Sequence, residues 1–514
     1  MTEAIQGDGR LAGGIHLPTR KQLSTAIPIA SAPLPRTLIH PLHDVAGLGP
    51  QACVQVGERV LRGQPLARDV GIQAAMVHAG SSGTVRAIER RPVTDLRRND
   101  ALCVIVDLDG ADEALATQPP DTATWHDPEA MVAALANAGL AGLGGALYPT
   151  GLKLADGRRR GLKALIINGA ECEPYISCDD MLMRERADAV IAGTLAMLQL
   201  SDCPSAIIAL EDDKPQALAA IEAAVAACAE RSRLAIVTVP TIYPSGGERQ
   251  LIQLITGEEV PSGCYPPEIG YLCQNVGTAA ALADFLATGA PLTSRIITLT
   301  GGGLAQPRNL EARLGTPIAD LVAACGGYTR AVSRLIIGGG MTGIAAGSDE
   351  VPVTRATNCI IAATAGEVRT QGEEVPCIRC GNCSDICPAR LMPQLLHWHA
   401  MRQEDEEMHA LHLFDCIECG ACDVVCPSQL QLTEQFRIAK RRAWQTRADQ
   451  TRARLAEQRH AARQRRLQTH ASRHDQELER KRQVARDPDA ASAAIAEILR
   501  RGRRGAGDST KEEP

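Results

Sequence analysis

Cys377-Ile378-Arg379-Cys380-Gly381-Asn382-Cys383-Ser384-Asp385-Ile386-Cys387-Pro388 recurs as Cys416-Ile417-Glu418-Cys419-Gly420-Ala421-Cys422-Asp423-Val424-Val425-Cys426-Pro427. Each copy has the spacing C-x2-C-x2-C-x3-C-P, the bacterial iron–sulfur ligand run, and the duplication is what two clusters require. Three cysteines two residues apart can turn around one face of a cubane. The fourth lies beyond a short helical turn and points to the neighbouring cluster. The expected ligand sets therefore cross: Cys377, Cys380, Cys383 and Cys426 for one [4Fe–4S] cluster, and Cys416, Cys419, Cys422 and Cys387 for the other. A pair of zinc ribbons is the competing reading, but four thiolates with a terminal Cys-Pro, twice, exceed what a tetrahedral zinc site needs. A disulfide framework fits less well, because nothing marks the chain as secreted. The chemistry of such a segment is one-electron transfer.

Working outward, the 514 residues allow several domains. At 45% hydrophobic but only 2% aromatic, their cores must be built from Ala, Val, Leu and Ile. Of the 18 cysteines, those outside the repeat do not pair by spacing, which suits a reducing cytoplasm. The start, MTEAIQGDGR, lacks the apolar core of a signal peptide. The long uncharged stretch Ala130–Leu152 holds too much Gly and Ala for a membrane span and reads as a buried helix followed by a glycine-rich loop. A chain soluble by itself is expected. The net charge of −6 is uneven: residues 431–510 carry 20 Lys+Arg against 10 Asp+Glu, and residues 1–430 carry 33 against 48.

Before the cysteine repeat, LAGGIHLP (11–18) is a Gly/Pro segment. Residues 38–108 read as short strands, and "VGERVLRGQPLA…VHAGSSGTVRAI" resembles a barrel-sandwich (biotinyl/lipoyl-like) fold; the stretch at the hairpin tip, DVGIQAAMV, has no lysine, so no swinging arm is expected. Residues 128–290 alternate helix and strand, with a helix over Glu129–Ala138, strands at Ala164–Ile167, Ala206–Leu210 and Leu234–Val239, and helices over Asp179–Leu200 and Pro215–Ala229. This predicts a parallel sheet covered by helices. Residues 294–345 return to short strands around a helix at Ile318–Ala324 and suit a small β-grasp-like domain. Residues 346–376 read as a linker. From Thr433 to about Arg503 the chain is helical, Arg-rich and without a sustained heptad seam: a solvated or partly disordered helix, or one that meets an anionic membrane or a partner. One basic tail is weak support for nucleic acid, which is not expected as a partner.

Three loops carry the remaining chemistry. Gly142-Leu143-Gly144-Gly145-Ala146-Leu147-Tyr148-Pro149-Thr150-Gly151-Leu152-Lys153 follows a helix and lacks the third glycine of a dinucleotide fingerprint. Its glycines let backbone approach a ligand, and Lys153 can meet a phosphate; an ordinary connection is the alternative. Asn168-Gly169-Ala170-Glu171-Cys172-Glu173-Pro174-Tyr175 follows a strand, and Tyr243-Pro244-Ser245-Gly246-Gly247-Glu248 follows another and opens a helix. Ligands of open α/β sheets sit at the carboxyl ends of strands, so the three loops make one site plausible, although any single acidic residue could be only a cap.

"GGIHLP", "INGAECEPY", "YPSGGERQLI" and the paired cysteine runs, in this order, resemble the C subunit of the Rnf (Rsx) electron transport complex from about Gly13 to Leu432. The middle is similar, more distantly, to the flavin-carrying NADH-oxidising subunit of respiratory complex I. The resemblance implies a multidomain α/β chain: a barrel-sandwich domain (1–125), a Rossmann-like α/β domain for FMN and NADH (126–290), a β-grasp-like domain (291–350), a ferredoxin-type domain with two [4Fe–4S] clusters (365–432) and a basic helical or disordered tail (433–514). It implies non-covalent FMN lined by Gly142, Gly144, Gly145 and Lys153, with Asn168 and Glu171 on a second flavin loop and Tyr243, Gly246 and Glu248 on a third. Glu248 would meet nicotinamide or flavin, and Asn275 and Thr278 of "QNVGT" match a later flavin loop. The sequence departs from the complex I pattern at Ala170, Gly247 and Leu147, where an aspartate, a glutamate and a glycine are expected; Leu147 puts a side chain near the expected flavin.

The implied function is that of a peripheral subunit on the cytoplasmic face of the inner membrane. It takes electrons from NADH and passes them through the clusters to partner subunits of an ion-translocating complex, including an iron–sulfur acceptor. Two rivals are a relay scaffold without flavin and the NADH-oxidising subunit of a soluble hydrogenase or formate dehydrogenase.

Overall fold

The computed structural model describes residues 10–42, 51–68, 75–94, 100–121, 127–145, 147–368 and 372–505. Most of the hairpin tip read as lacking a carrier lysine, and Ala146 of the glycine loop, lie outside the described residues. Two compact units result, residues 1–437 and 438–514.

Near the start of the first unit, strands Thr37–Pro41, Asp100–Leu108, Gly83–Pro92 and Arg59–Val60 pair antiparallel in that order, beside a two-stranded ribbon, Gln51–Ala52 with Ala67–Arg68. Alternating apolar positions send Val60, Leu66, Val85, Val104 and Val106 into one shared core, as half-buried strands require. This is the expected barrel-sandwich layout.

The middle of the unit is a parallel four-stranded sheet in the order Leu234–Val239, Ala206–Glu211, Ala164–Gly169, Tyr271–Asn275. Its strands are almost wholly apolar because helices cover both faces. Pro128–Asn137 starts at Asp127, whose carboxylate accepts the Glu129 N–H at 2.9 Å. Pro215–Ala227 and Val276–Thr288 pack on the sheet as well. The single helix expected over Asp179–Leu200 is two, Cys178–Glu185 and Ala187–Ser201, broken at Arg186, whose φ −134° and ψ 37° are not helical.

The expected β-grasp-like part is a six-stranded sheet ordered Ala30–Ser31, Arg308–Arg313, Ser294–Thr300, Cys359–Ala363, Arg334–Ile337, Ile344–Ala346. This corrects the reading of 346–376 as linker. Cys359–Ala363 is buried at every position and lies between two other strands of the sheet. A five-residue apolar run without periodicity gives little local signal, and its identity as a strand comes from its neighbours. Ala30–Ser31, inside the span 1–125 expected as the barrel-sandwich domain, pairs instead with Leu310 and Glu311 of this sheet.

The cysteine repeats follow, each with a short helix, Asn382–Asp385 and Ala421–Val425. Thr433 and Phe436 line the second thiol cavity, so this segment runs past the boundary at 432 read from sequence.

The helices Leu432–Arg486 and Pro488–Gly505 end the described chain. Side chains of the long helix are exposed on all sides over residues 457–483. In the last helix Ile495, Ile498 and Leu499 are 59–70% exposed at i, i+3 and i+4, one stripe of a helix. No helix of the described residues is long and apolar enough to cross a membrane.

Candidate functional site

All four strands of the parallel sheet run the same way, so their carboxyl ends deliver the candidate loops to one edge. The loops are laced together by their own side chains. Asn168 Nδ2 donates to Gly246 O at 2.9 Å, joining the second loop to the third, while Asn168 Oδ1 accepts the Ala170 N–H at 2.9 Å. Lys153 Nζ reaches Glu248 Oε1 at 2.7 Å and Cys273 O at 2.6 Å, tying the glycine loop's helix to the third loop and the fourth strand. The Leu143 N–H donates to Thr278 Oγ1 at 2.9 Å, which fixes the glycine loop to the "QNVGT" turn. Asn275 caps its helix, accepting the Gly277 N–H at 2.8 Å, and donates to Asp179 at 2.6 Å. Asn275 and Thr278 thus shape the site by holding its backbone.

The glycines differ in what requires them. A Cβ on Gly246 would stand 2.3 Å from Ala170 O, so the second and third loops meet there only without a side chain. Gly144 would meet Asn275 Cβ at 3.3 Å, whereas Gly142 has no atom nearer than 3.6 Å and nothing in the fold demands its glycine. Gly145 has φ 108°, a region L side chains rarely adopt. Leu147, where a glycine is expected, also has positive φ, 53°.

Glu171 is buried at the start of the helix Cys178–Glu185, accepting the Asp179 N–H at 3.0 Å. Burial and the charge of Asp179 push its carboxyl up to about 7. Sequence reasoning missed the charges beneath it. Lys21 donates to Glu171 O and lies 3.8 Å from Glu211; Lys214 pairs with Glu211 and, at 2.7 Å, with Asp213; Ser245 donates to Glu211 at 3.1 Å. Burial opposes the charge of Lys214, but Glu211, Asp213 and Glu171 outweigh it and its pKa is raised. Lys21 lies far away in the chain and carries no local motif. Lys214, one turn from Glu211, was the only legible hint.

These loops fit a bound polar heterocycle with a phosphate tail. They bring backbone close, they carry a lysine at the strand ends, and buried side-chain atoms without partners lie in or beside them: Thr150 Oγ1, Gln250 Oε1 and Gln274 Nε2.

The cysteine repeats come together in crossed sets. Cys377, Cys380, Cys383 and Cys426 line one cavity, and Cys387, Cys416, Cys419 and Cys422 line another. Around the second, backbone N–H groups reach sulfur: Leu391 N to Cys387 Sγ and Glu418 N to Cys416 Sγ, both 3.4 Å. Burial pushes the thiols of Cys383, Cys387 and Cys419 up, that of Cys419 to about 12. Thiolates in such a place need a cation to hold them ionised. Four soft donors per cavity suit an iron–sulfur group.

Four family models match in chain order: the RnfC barrel sandwich hybrid domain over residues 9–111, the Nuo51 FMN-binding domain over 135–284, an SLBB domain over 296–345 and a 4Fe-4S dicluster domain over 376–444. Together they describe a modular chain in which a barrel-sandwich, an FMN-binding-type, an SLBB and a 4Fe-4S dicluster-type segment follow one another. More particularly, the chain resembles the C subunit of the ion-translocating (Rnf/Rsx) oxidoreductase complex. It is 45% identical over 428 residues to that subunit from Pseudomonas aeruginosa, a match covering 83% of this chain and 55% of that one. It is 42% identical over 403 residues to the protein of the same name from Pectobacterium carotovorum (78% and 53%) and 42% over 441 to that of Klebsiella pneumoniae (86% and 58%). The chain spans little more than half the length of these curated relatives. A chain of an NAD+-reducing [NiFe]-hydrogenase has a TM-score of 0.43 at 20% identity, covering 61% of this chain and 63% of that one.

Proposed function

We propose that this chain is the electron-input subunit of an ion-translocating oxidoreductase complex, taking electrons from NADH. Non-covalent FMN would be held by Gly142, Gly144, Gly145, Lys153, Asn168, Glu171, Tyr243, Gly246, Asn275 and Thr278. Two [4Fe–4S] clusters would be ligated by Cys377, Cys380, Cys383 and Cys426 and by Cys387, Cys416, Cys419 and Cys422. The observation that carries the reading is the convergence of eight repeat thiols into two crossed four-thiol cavities beside a laced loop site. Flavin supplies the exchange between a two-electron donor and one-electron carriers.

The chain's own residues bind, orient and exclude water. Lys153 stands where a phosphate or the flavin ring would meet a cation, and Glu248 holds it there at the first residue of a helix. In this reading Glu248, whose side chain is 38% exposed, would also meet the nicotinamide. Burial pushes the Glu171 carboxyl up to about 7, and its oxygens accept the Asp179 and Asp180 N–H groups, which holds the second loop against the start of the helix Cys178–Glu185. Partners would be the other subunits of the complex, including an iron–sulfur acceptor, at the cytoplasmic face of the inner membrane. Anaerobic purification with iron, acid-labile sulfide and flavin analysis tests the reading. About eight iron atoms and one FMN per chain are expected; clusters without flavin after reconstitution with excess FMN would leave only a relay scaffold.

A further inference from the structure

The two cysteine repeats have the same backbone and different surroundings. Equivalent residues take the left-handed conformation in each: Arg379 and Glu418 (φ 57° both), Gly381 and Gly420 (89° and 74°), Arg390 and Gln429 (52° and 55°). Yet Ile378, Arg379, Cys380 and Asn382 of the first repeat are exposed, while Ile417, Glu418 and Cys419 are half-buried and Ala421 is buried. A Cβ on Gly381 would meet nothing within 4 Å.

What covers the second repeat is the third loop of the candidate flavin site and the N-terminal segment. Tyr243 Oη donates to Cys419 O at 2.6 Å. The Tyr243 backbone is paired both ways with Ile15, at 2.8 and 2.9 Å, and the Gly14 N–H donates to Ile386 O at 2.9 Å, next to Cys387. Gly13 passes so close that a Cβ there would lie 2.5 Å from Ile386 O. Tyr243, Ile15 and Ala421 share an apolar contact with Cys172, Met341 and Val425. Tyr243 stands three residues before Gly246, whose carbonyl accepts from Asn168 of the second loop, so the path from the loop site to Cys419 is short and covalently or hydrogen-bond connected. These contacts of the first repeat stop at Ile386 and Cys387, whose thiol belongs to the covered site; among the described residues Ile378 is 66% exposed and Arg379 lies over the Trp398 ring, 5.6 Å from its centre.

We propose that Tyr243 is a positioning residue that holds the Cys387/Cys416/Cys419/Cys422 site against the flavin side, making it the electron-receiving site, and leaves the Cys377/Cys380/Cys383/Cys426 site at the surface as the electron-delivering one. The inference rests on the cluster and flavin reading above. A two-electron donor is emptied in two passes. With clusters held by the two thiol sets, the covered site would take each electron first and the surface site would pass it to a one-electron acceptor protein; no bond forms and no proton travels between the sites. The Tyr243 hydroxyl, aimed at the peptide of a ligand, favours the more negative, reduced state of the covered cluster.

The test uses the full chain, purified anaerobically and reduced with dithionite. A soluble dysprosium chelate should speed the relaxation of one cluster's EPR signal several-fold more than the other's, and the sensitive signal should be the one missing in Cys380→Ser. In Tyr243→Phe, with iron content unchanged, the protected cluster alone should move to a lower midpoint potential and become more sensitive to the chelate. This comparison needs no cysteine variant. Equal relaxation of the two signals, sensitivity in the signal lost by Cys422→Ser, or a Tyr243→Phe variant that shifts neither cluster or both alike overturns the proposal. Iron analysis separates the failures: without bound iron the cluster reading falls too, whereas two clusters that relax alike sink only the ordering.

Discussion

At the scale of single residues, Leu147 and Gly142 make opposite cases. Leu147 holds φ 53° with a side chain attached, a conformation that costs an L-residue about 1–2 kcal/mol. Leu147→Gly should relieve that strain and clear the loop. FMN fluorescence titration should show tighter binding, with thermal stability raised or unchanged because glycine's entropy offsets part of the gain. At Gly142→Ala the new Cβ would be in ordinary contact with the Tyr148 backbone, no closer than 3.6 Å, at an ordinary φ, so the fold should tolerate it, and any loss of flavin would come from the ligand's side. Gly144→Val, close to Asn275, should lose flavin while both clusters remain. Glu171 offers a pH test. Its folded pKa, about 7, lies above its ordinary value of 4.5, so the folded state binds more protons than the unfolded one across that interval. Stability should therefore fall as pH rises from about 4.5 to about 7 and then level off. Glu171→Gln should flatten that part of a denaturant-midpoint profile; an unchanged slope would assign the dependence to other groups.

At the scale of elements, the cysteine segment depends on its ligands. Its helices are short, and few apolar side chains besides Leu391, Leu396, Met408 and Leu413 are buried between Cys377 and Cys426. Metal ligation must then supply much of its folding energy. Cys380→Ala should lose one cluster by iron analysis and expose residues 370–430 to limited proteolysis. An intact pair of EPR signals in that variant would refute the ligand set. The strand Cys359–Ala363 shows how an element escapes a local reading. Buried on both faces, it has no alternation to betray it, and its partners Ser294–Thr300 and Arg334–Ile337 are remote in sequence.

At the scale of the whole molecule, the charge is divided between an acidic body and a basic tail. Each basic residue near an anionic leaflet is worth about 1 kcal/mol, an attraction screened within about 10 Å at 0.1 M salt. A sequence reading gives the tail no apolar face; the stripe Ile495, Ile498 and Leu499 on the last helix corrects this, though three side chains make a narrow one. Docking through the folded domains is still expected to dominate. A chain ended after Trp444, which keeps Thr433 and Phe436 at the second cavity, should stay on salt-washed membranes that contain its partners. Full release of that chain with clusters intact would make the tail the anchor.

The sequence by itself determined the crossed thiol sets, the order of the domains and the parallel sheet with its three loops. Each is written in local spacing, periodicity or glycine placement that physics restricts to few structures. Only the tertiary structure decided that the N-terminal Gly/Pro segment stitches the third loop to Ile386, beside Cys387 of the covered thiol site. It alone placed Lys21 and Lys214 among the buried acids, and put one of two near-identical repeats under Tyr243 and the other at the surface. Those outcomes come from residues hundreds of positions apart meeting at the edge of a sheet, where burial, not the motif, decides how each thiol is surrounded.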